Sequence, residues 1–163
     1  EILGDEYEYR MRPQLICNDH GNYFRDVSES AGDYFQQRHL GRAVARGDLD
    51  GDGDADLVIT HADKSPVILE NQTARSGVTM EIAGRFAARD GRGCTLMVVT
   101  DNGTCAVSIP SGDSFQASHA PQVSLPAATK KVSIQWSNQK VQEWHPQAAS
   151  AGGQARQMVI ESR

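Results

Sequence analysis

The chain has 163 residues, enough for one sizeable domain or two small ones, and its 39% hydrophobic and 23% charged residues are ordinary for a globular protein. No apolar run approaches the ~20 residues that cross a bilayer. No cluster of Lys and Arg marks a nucleic-acid surface, so we expect neither membrane insertion nor nucleic acid as a partner. The chain begins at Glu1 without an apolar signal segment, which is typical of a processed or excised piece of a longer protein.

Short runs of β-branched and apolar residues, separated by Gly, Asn, Asp and Pro, predict an all-β chain. Two short helical turns are predicted near Val27–Gly32 and Asp33–Gln37. The predicted strands, in chain order, are Arg42–Arg46, Asp56–His61, Pro66–Glu70, Val78–Ile82, Thr95–Thr100, Thr104–Pro110, Lys131–Trp136 and Gln157–Glu161.

A domain boundary is predicted near Thr73–Gly77, where the small and polar residues of NQTARSG interrupt the strand pattern. Residues 1–75 would form a propeller-type blade that carries an acidic hairpin loop. Residues 76–163 would form a small antiparallel β-sandwich or barrel-like domain.

The acidic loop lies in the stretch RGDLDGDGDADLVITH, from Arg46 to His61. The net charge of −5 is located there, because the other 16 acidic residues balance the 16 Lys and Arg residues. A cation site requires such a concentration of negative charge. The acidic residues of this aspartate loop, residues 48–56, are Asp48, Asp50, Asp52, Asp54 and Asp56.

The spacing of these aspartates matches the oxygen ligands of an EF-hand-type calcium loop, with Asp48 at position 1 and Gly53 at position 6. Asp54, at position 7, would bind through its main-chain oxygen. A set of many hard oxygen ligands suits calcium better than magnesium, whereas zinc or copper would favour His or Cys as ligands. Position 12 is Ile59 instead of a bidentate Glu, and both flanks are predicted strands, so we expect a calcium loop within a β-hairpin. A solvated acidic turn without metal is the alternative. The predicted side-chain ligands are Asp48, Asp50, Asp52 and Asp56.

A second hairpin is predicted with a two-residue turn at Asn102-Gly103. This turn would place Val98 opposite Val107 and Leu96 opposite Ile109, so that four apolar side chains share one face.

The three cysteines, Cys17, Cys94 and Cys105, cannot all pair within the chain, and no C-x-x-C spacing indicates zinc or redox chemistry. The hairpin register puts Cys94 and Cys105 on the inward face but beyond disulfide reach. We therefore expect buried free thiols there.

Two parts of the sequence resemble known families. The segment Tyr23–Asn71, with YFRDVSESAG, GRAVARGDLDGDGDADLVITH and PVILEN, resembles one FG-GAP (VCBS-type) repeat, the calcium-loop blade of integrin-like β-propellers. Residues 76–163 resemble the ASPIC/UnbV domain that follows such repeats in the cartilage acidic protein family and its bacterial relatives. RDGRGCTLMVVTDNG and SHAPQVSLPAATKKVSIQWSNQKVQEW carry this second resemblance.

The resemblance implies a non-enzymatic protein with structural calcium, located outside the cell, in the periplasm or at the cell surface, that binds a protein or glycan partner. A single blade cannot bury both of its faces. We therefore expect either a longer propeller or a covering surface, and the uncovered edges favour self-association.

Several smaller features leave alternatives open. Arg46-Gly47-Asp48 is the tripeptide that integrins recognise on mobile loops, but its aspartate would be committed to the metal. Asn71 and Asn102 fit the N-glycosylation pattern. Trp136 and Trp144 would either fill the core or form an exposed sugar-binding platform.

An enzymatic alternative is a metal-dependent hydrolase fragment that uses the aspartate loop. Such an enzyme needs an open coordination position and a second functional group nearby. The sequence offers no candidate for that group, because none of the five histidines has metal-ligand spacing and no G-x-S-x-G motif is present.

Overall fold

The structure is a computed structural model that describes residues 9–19, 21–73, 77–110, 112, 114–146 and 155–163. These residues form an all-β fold, as the strand pattern predicts. Two 3₁₀ turns, Ser28–Ser30 and Asp33–Gln36, confirm the predicted short helical segments. The strands are β1 (Ile16–Asp19), β2 (Tyr23–Asp26), β3 (Gly41–Gly47), β4 (Asp56–His61), β5 (Val67–Leu69), β6 (Gly77–Ala83), β7 (Thr95–Thr100), β8 (Gly103–Ser108), β9 (Gln122–Pro126), β10 (Thr129–Gln135), β11 (Val141–Trp144) and β12 (Ala155–Ile160).

The described strands form four sheets. Their strand orders are β1-β2, β3-β4-β5, β11-β10-β7-β8 and β12-β6-β9. In the last sheet β6 pairs with β12 in parallel and with β9 in antiparallel orientation. All eight strands predicted from the sequence are present, whereas β1, β2, β9 and β11 were not predicted.

The chain divides into two compact units. The N-terminal unit comprises Glu1–Ala43 and Ile59–Val67, and the C-terminal unit comprises Val44–Val58 and Ile68–Arg163. The aspartate loop therefore belongs to the same unit as β6 to β12. The boundary predicted near Thr73–Gly77 includes residues 74–76, which lie outside the described residues, and the division into 1–75 and 76–163 stays a prediction.

The C-terminal unit has a hydrophobic core to which both of its larger sheets contribute. Alternate residues of β7, β9 and β10 point inward, as the period of two in a β-strand requires. Burying each large apolar side chain stabilises the fold by about 1.5–3 kcal/mol. The members of this cluster that are less than 2% exposed are Met80, Cys94, Leu96, Val98, Val132, Ile134 and Trp136.

The β7–β8 hairpin turns one residue earlier than predicted. Its two-residue turn is Asp101-Asn102, and Gly103 pairs with Thr100. The Thr100 hydroxyl accepts a hydrogen bond from Asn102 N at 3.2 Å and donates one to Gly103 O at 3.2 Å. These bonds close the turn around Thr100, while Gly103, at φ +135°, begins the second strand.

In the observed register every cross-strand partner differs from the predicted one by two residues, so Leu96 pairs with Val107 and Val98 with Cys105. A shift of two preserves the face on which each side chain lies. Leu96 and Val98 are accordingly buried as predicted, and Ile109 is buried beside Cys94.

The cysteine prediction is right for one residue and wrong for another. All three thiols are free, and Cys94 is buried. Cys105 is exposed, although it was predicted to be buried, because it lies on the edge strand β8, whose residues are mostly exposed. Cys17, on β1, is exposed as well.

Candidate functional site: the aspartate loop

The aspartate loop connects β3 and β4, and its own carboxylates shape it. Asp48 Oδ1 accepts a hydrogen bond from Gly51 N at 2.8 Å, and Asp50 Oδ1 accepts one from Asp52 N at 3.0 Å. Asp52 Oδ1 accepts one from Asp54 N at 2.8 Å. Each short side chain thus closes a local turn, for which aspartate is well suited.

Two glycines give this loop its curvature. Gly51 and Gly53 have φ angles of +82° and +89°, a region that other residues adopt at a steric cost. Alternate aspartates therefore turn the chain, and glycines occupy the left-handed positions between them.

Asp56 anchors the end of the loop at the first residue of β4. It is 1% exposed, and its two carboxylate oxygens accept hydrogen bonds from different segments. Oδ2 accepts from Leu49 N at 2.8 Å and Oδ1 from Asn71 N at 2.9 Å. These bonds within the protein fix the orientation of the Asp56 carboxylate without the help of a ligand.

The loop brings three of the five predicted ligands together. One carboxylate oxygen each from Asp48, Asp50 and Asp56 lies within 4.8 Å of the other two. Two like charges ~4–5 Å apart near a protein surface repel by roughly 3–4 kcal/mol before salt screening, so a cation would relieve this cluster. Asp52 and Asp54 lie outside this group, and their role as ligands stays a prediction.

The donor set fits a hard divalent cation. All three converging groups are carboxylates, which calcium, magnesium and manganese prefer, and the group contains neither His nor Cys. Asp50 is exposed while Asp56 is buried, so an ion held here would have protein on one side and solvent on the other.

Comparison with known families identifies this region. Residues 40–62 match the FG-GAP repeat. The match spans β3, the aspartate loop and β4, and it confirms the resemblance inferred from the DLDGDGDAD spacing. FG-GAP repeats occur in extracellular proteins. No curated protein matches the chain. Among the described residues, no helix is both long enough and apolar enough to cross a membrane.

The RGD tripeptide is held within the fold at its backbone. Arg46 O accepts a hydrogen bond from Ala120 N at 2.9 Å, and Asp48 N donates one to Gln122 Oε1 at 3.2 Å. The Asp48 carboxylate belongs to the cluster described above. The tripeptide therefore lacks the mobile presentation that adhesion requires.

A polar cluster in the N-terminal unit was missed by the sequence analysis. Tyr34 OH lies 2.8 Å from His61 Nε2, and the Tyr34 ring stacks on His39 with centroids 4.1 Å apart. His39 Nε2 lies 2.9 Å from Tyr34 O, and Lys64 Nζ lies 2.8 Å from His39 Nδ1. Since a carbonyl oxygen only accepts, His39 carries its proton on Nε2 and receives Lys64 on Nδ1. The histidines are distant in sequence, so no ligand spacing signalled this cluster.

The ionisation of this polar cluster follows from its surroundings. Burial raises the pKa of Tyr34. Burial, and then the Lys64 cation, lower the pKa of His61, which is therefore neutral at pH 7. The network connects the segment around Tyr34 to His61, the last residue of β4, and to Lys64.

The N-terminal unit also contains an open polar cleft of about 660 Å³. Its Asp26 carboxylate accepts hydrogen bonds from Ser28 N at 2.9 Å and Gln14 Nε2 at 3.2 Å. The Ser28 hydroxyl and then its main-chain N–H lower the pKa of Asp26, so this carboxyl is ionised at neutral pH. The cleft offers hydrogen-bonding and ionic groups of both signs, and its lining includes Arg12, Arg25, Asp26, Ser28, Phe35 and Gln36.

Proposed function

We propose that the chain is a non-catalytic, calcium-binding β-rich module of a secreted or cell-surface protein, in which calcium is structural. The observation that carries this proposal is the convergence of Asp48, Asp50 and Asp56 inside the FG-GAP match. Calcium favours several hard oxygens at flexible distances, which a loop of alternate aspartates provides.

Asp48, Asp50 and Asp56 would hold the ion through their side chains, and Asp52 and the Asp54 carbonyl complete the predicted set. When bound, calcium would supply the positive charge that offsets the mutual repulsion of the carboxylates. Asp56 supports a structural role, because main-chain N–H groups occupy both of its oxygens and its side chain is buried. A general base needs a carboxylate oxygen within reach of a substrate proton.

The C-terminal strands would form an ASPIC/UnbV-like domain. Support comes from its position after the FG-GAP match and from the resemblance of RDGRGCTLMVVTDNG and the segment around Trp136 to that domain. The proposed location is extracellular, periplasmic or at the cell surface, and the occurrence of FG-GAP repeats in extracellular proteins supports it. The partner would be a protein or glycan, and edge strands such as β5 leave self-association open.

The alternatives receive less support. Trp136 is 1% exposed and its indole N–H donates to Gln142 Oε1 at 3.2 Å, while Trp144 packs against the core. The burial of Trp136 and the packing of Trp144 against the core therefore favour the core interpretation over an exposed sugar platform. A metal-dependent hydrolase would also need a second catalytic group beside the loop, and the carboxylate cluster contains neither His nor Cys.

Calorimetric titration of the chelator-treated chain with Ca²⁺, and with Mg²⁺ in parallel, tests the proposal. We expect one site that prefers Ca²⁺ and that Asp50→Asn abolishes or strongly weakens. Asp33→Asn is the matched control, because it removes one exposed carboxylate outside the loop. Absence of calcium binding by the wild type, or equal binding by the Asp50→Asn variant, would contradict the assignment.

A further inference from the structure

We propose that Thr79 on β6 and Gln122 on β9 are positioning residues for the aspartate loop, so that metal binding there is coupled to the stability of the β12-β6-β9 sheet. This inference rests on the calcium site proposed above. It extends that proposal from a local clasp of one hairpin to a link with a sheet formed by distant residues.

The first contact involves the Gly53 carbonyl, near the middle of the loop. Thr79 Oγ1 donates a hydrogen bond to Gly53 O at 2.9 Å, and Ser124 Oγ lies 3.5 Å from the same oxygen. Thr79 and Ser124 are direct partners across β6 and β9, so two hydroxyls on one face of the sheet aim at one carbonyl. Gly53 separates Asp52 from Asp54, which places this contact within the predicted ligand run.

The burial of Thr79 indicates that the loop covers this face of the sheet. Val78 and Met80 belong to the hydrophobic core, and the side chain between them must point to the opposite face. Thr79 is nevertheless only 2% exposed. Its bond to Gly53 O shows that the aspartate loop lies over this face, and without that hydroxyl the carbonyl would keep only the longer contact from Ser124 Oγ.

The second contact involves Asp48, the first predicted ligand. Asp48 N donates to Gln122 Oε1 at 3.2 Å, and Gln122 Nε2 donates to Glu81 Oε1 at 3.0 Å. Since a main-chain N–H only donates and a carboxylate only accepts, both ends of the Gln122 amide are fixed. Glu81 in turn forms an ion pair with Arg156 on β12.

These bonds form a polar row across all three strands of the sheet. Gln122 and Glu81 are direct partners on β9 and β6, and Arg156 lies on the neighbouring strand β12. The row ends at the main chain of a predicted metal ligand. The sheet thus forms hydrogen bonds with the loop at Asp48 N and at Gly53 O. These bonds would keep the loop carboxylates in the arrangement that binds the ion. Metal binding should in turn restrain the sheet, since linkage between binding and folding is reciprocal.

Three Thr variants of the full chain test this link, with Ca²⁺ alone as the probe. Thr79→Val removes the hydroxyl at nearly constant volume, and Thr79→Ser keeps it. Thr129→Val is the matched control, because Thr129 is also buried but its hydroxyl has no hydrogen-bond partner among the described residues. We expect Thr79→Val to weaken calcium binding by about five- to tenfold, the equivalent of one buried hydrogen bond. Thr79→Ser and Thr129→Val should bind within about twofold of the wild type.

Two further readouts separate positioning from a merely structural role. Thr79→Val should lower the Tm more in saturating calcium than in chelator, whereas a purely structural defect lowers it equally in both. In the wild type, calcium should slow amide hydrogen exchange in β6, β9 and β12 as well as in residues 48–56. The exchange measurement needs no variant, so it remains decisive even if Thr79→Val does not fold.

The outcomes distinguish this inference from the proposed function. If the wild type binds calcium but slows exchange only in residues 48–56, the coupling is wrong while the calcium site stands. Equal calcium affinity of the Thr79→Val variant and the wild type would overturn it in the same way. If the wild type binds no calcium, both proposals fail.

Discussion

The aspartate loop and Glu161, which directly follows β12, accommodate carboxylates in opposite ways. Glu161 is 2% exposed, and the protein itself satisfies its charge. Oε2 lies 2.6–3.0 Å from three successive main-chain N–H groups, and Oε1 accepts a bond from a side-chain amide at 2.6 Å. The four donors belong to Arg85, Phe86, Ala87 and Asn138.

The aspartate loop has the reverse balance of charge and donors. Three carboxylates converge within 4.8 Å, and most of the main-chain N–H groups bound to them come from the same short loop. The comparison teaches that burial and charge alone do not indicate a ligand. The charge of a carboxylate surrounded by donors is already satisfied, whereas several carboxylates that face one another repel and would be stabilised by a cation.

The largest expected effect comes from Asp56→Ala. The change leaves Leu49 N and Asn71 N without their acceptor and removes a predicted ligand. At about 1–3 kcal/mol for each of the two unpaired N–H groups, we expect a loss of about 2–6 kcal/mol in chelator, and calcium should no longer stabilise the variant. Urea unfolding in chelator measures the loss of stability, and urea unfolding in calcium measures the loss of stabilisation by the ion. A variant as stable as the wild type in chelator would show that Asp56 does not anchor the loop.

A smaller loss is expected from Glu161→Gln, because glutamine keeps one acceptor oxygen, and this loss should be the same with and without calcium. Burial by itself would raise the pKa of Glu161, but the N–H groups of Phe86 and Ala87 and the Asn138 amide outweigh it and lower the pKa. A carboxylate with a lowered pKa stabilises the fold above its unfolded pKa, and this contribution disappears as the pH falls through the folded value.

The wild type should therefore lose stability on acidification below the ordinary glutamate pKa, and the Glu161→Gln variant should lose less over the same range. Unfolding midpoints measured as a function of pH test this expectation. A calcium-dependent defect, or an unchanged acid profile, would contradict the contrast between the two carboxylate sites.

The effect of Asp50→Asn on stability should differ most between chelator and calcium. Asp50 is exposed, and its removal lessens the repulsion within the cluster, so the free energy of unfolding in chelator should not fall below that of the wild type. In calcium at 100-fold over the wild-type Kd, the variant should lack the ~2.7 kcal/mol that binding gives the wild type. Paired melting curves with Asp33→Asn as control provide the comparison. An equal loss in chelator and in calcium would make Asp50 structural rather than a ligand.

The aspartate loop was predictable from sequence because its structure is local. Asp48, Asp50 and Asp52 each bond to a main-chain N–H two or three residues away, and Gly51 and Gly53 adopt the positive φ that their type permits. The alternating apolar residues of β6, β7 and β10 likewise predicted the strands that build the core. Which carboxylates converge was not predictable in the same way, because the orientation of a side chain depends on its contacts as well as on spacing.

The remaining features depend on distant contacts that periodicity cannot reveal. The strands β9 and β11 carry polar residues whose partners, such as Glu81 for Gln122, are remote in sequence. Glu161 lies at the end of a predicted strand, and nothing in the neighbouring sequence indicated which N–H groups its carboxylate accepts from. The predicted hairpin turn was wrong by one residue. The prediction relied on the Asn-Gly dipeptide, whereas the observed turn at Asp101-Asn102 is closed by hydrogen bonds of the Thr100 hydroxyl.

The most direct test of the central claim is the melting temperature of the chelator-treated wild type as a function of free Ca²⁺, with Mg²⁺ in parallel. If calcium is the structural ion of this loop, the Tm rises continuously with the logarithm of free Ca²⁺ above the Kd, and Mg²⁺ has a smaller effect. A Tm that does not change with Ca²⁺ would contradict the account and would leave the aspartate loop as a solvated acidic turn.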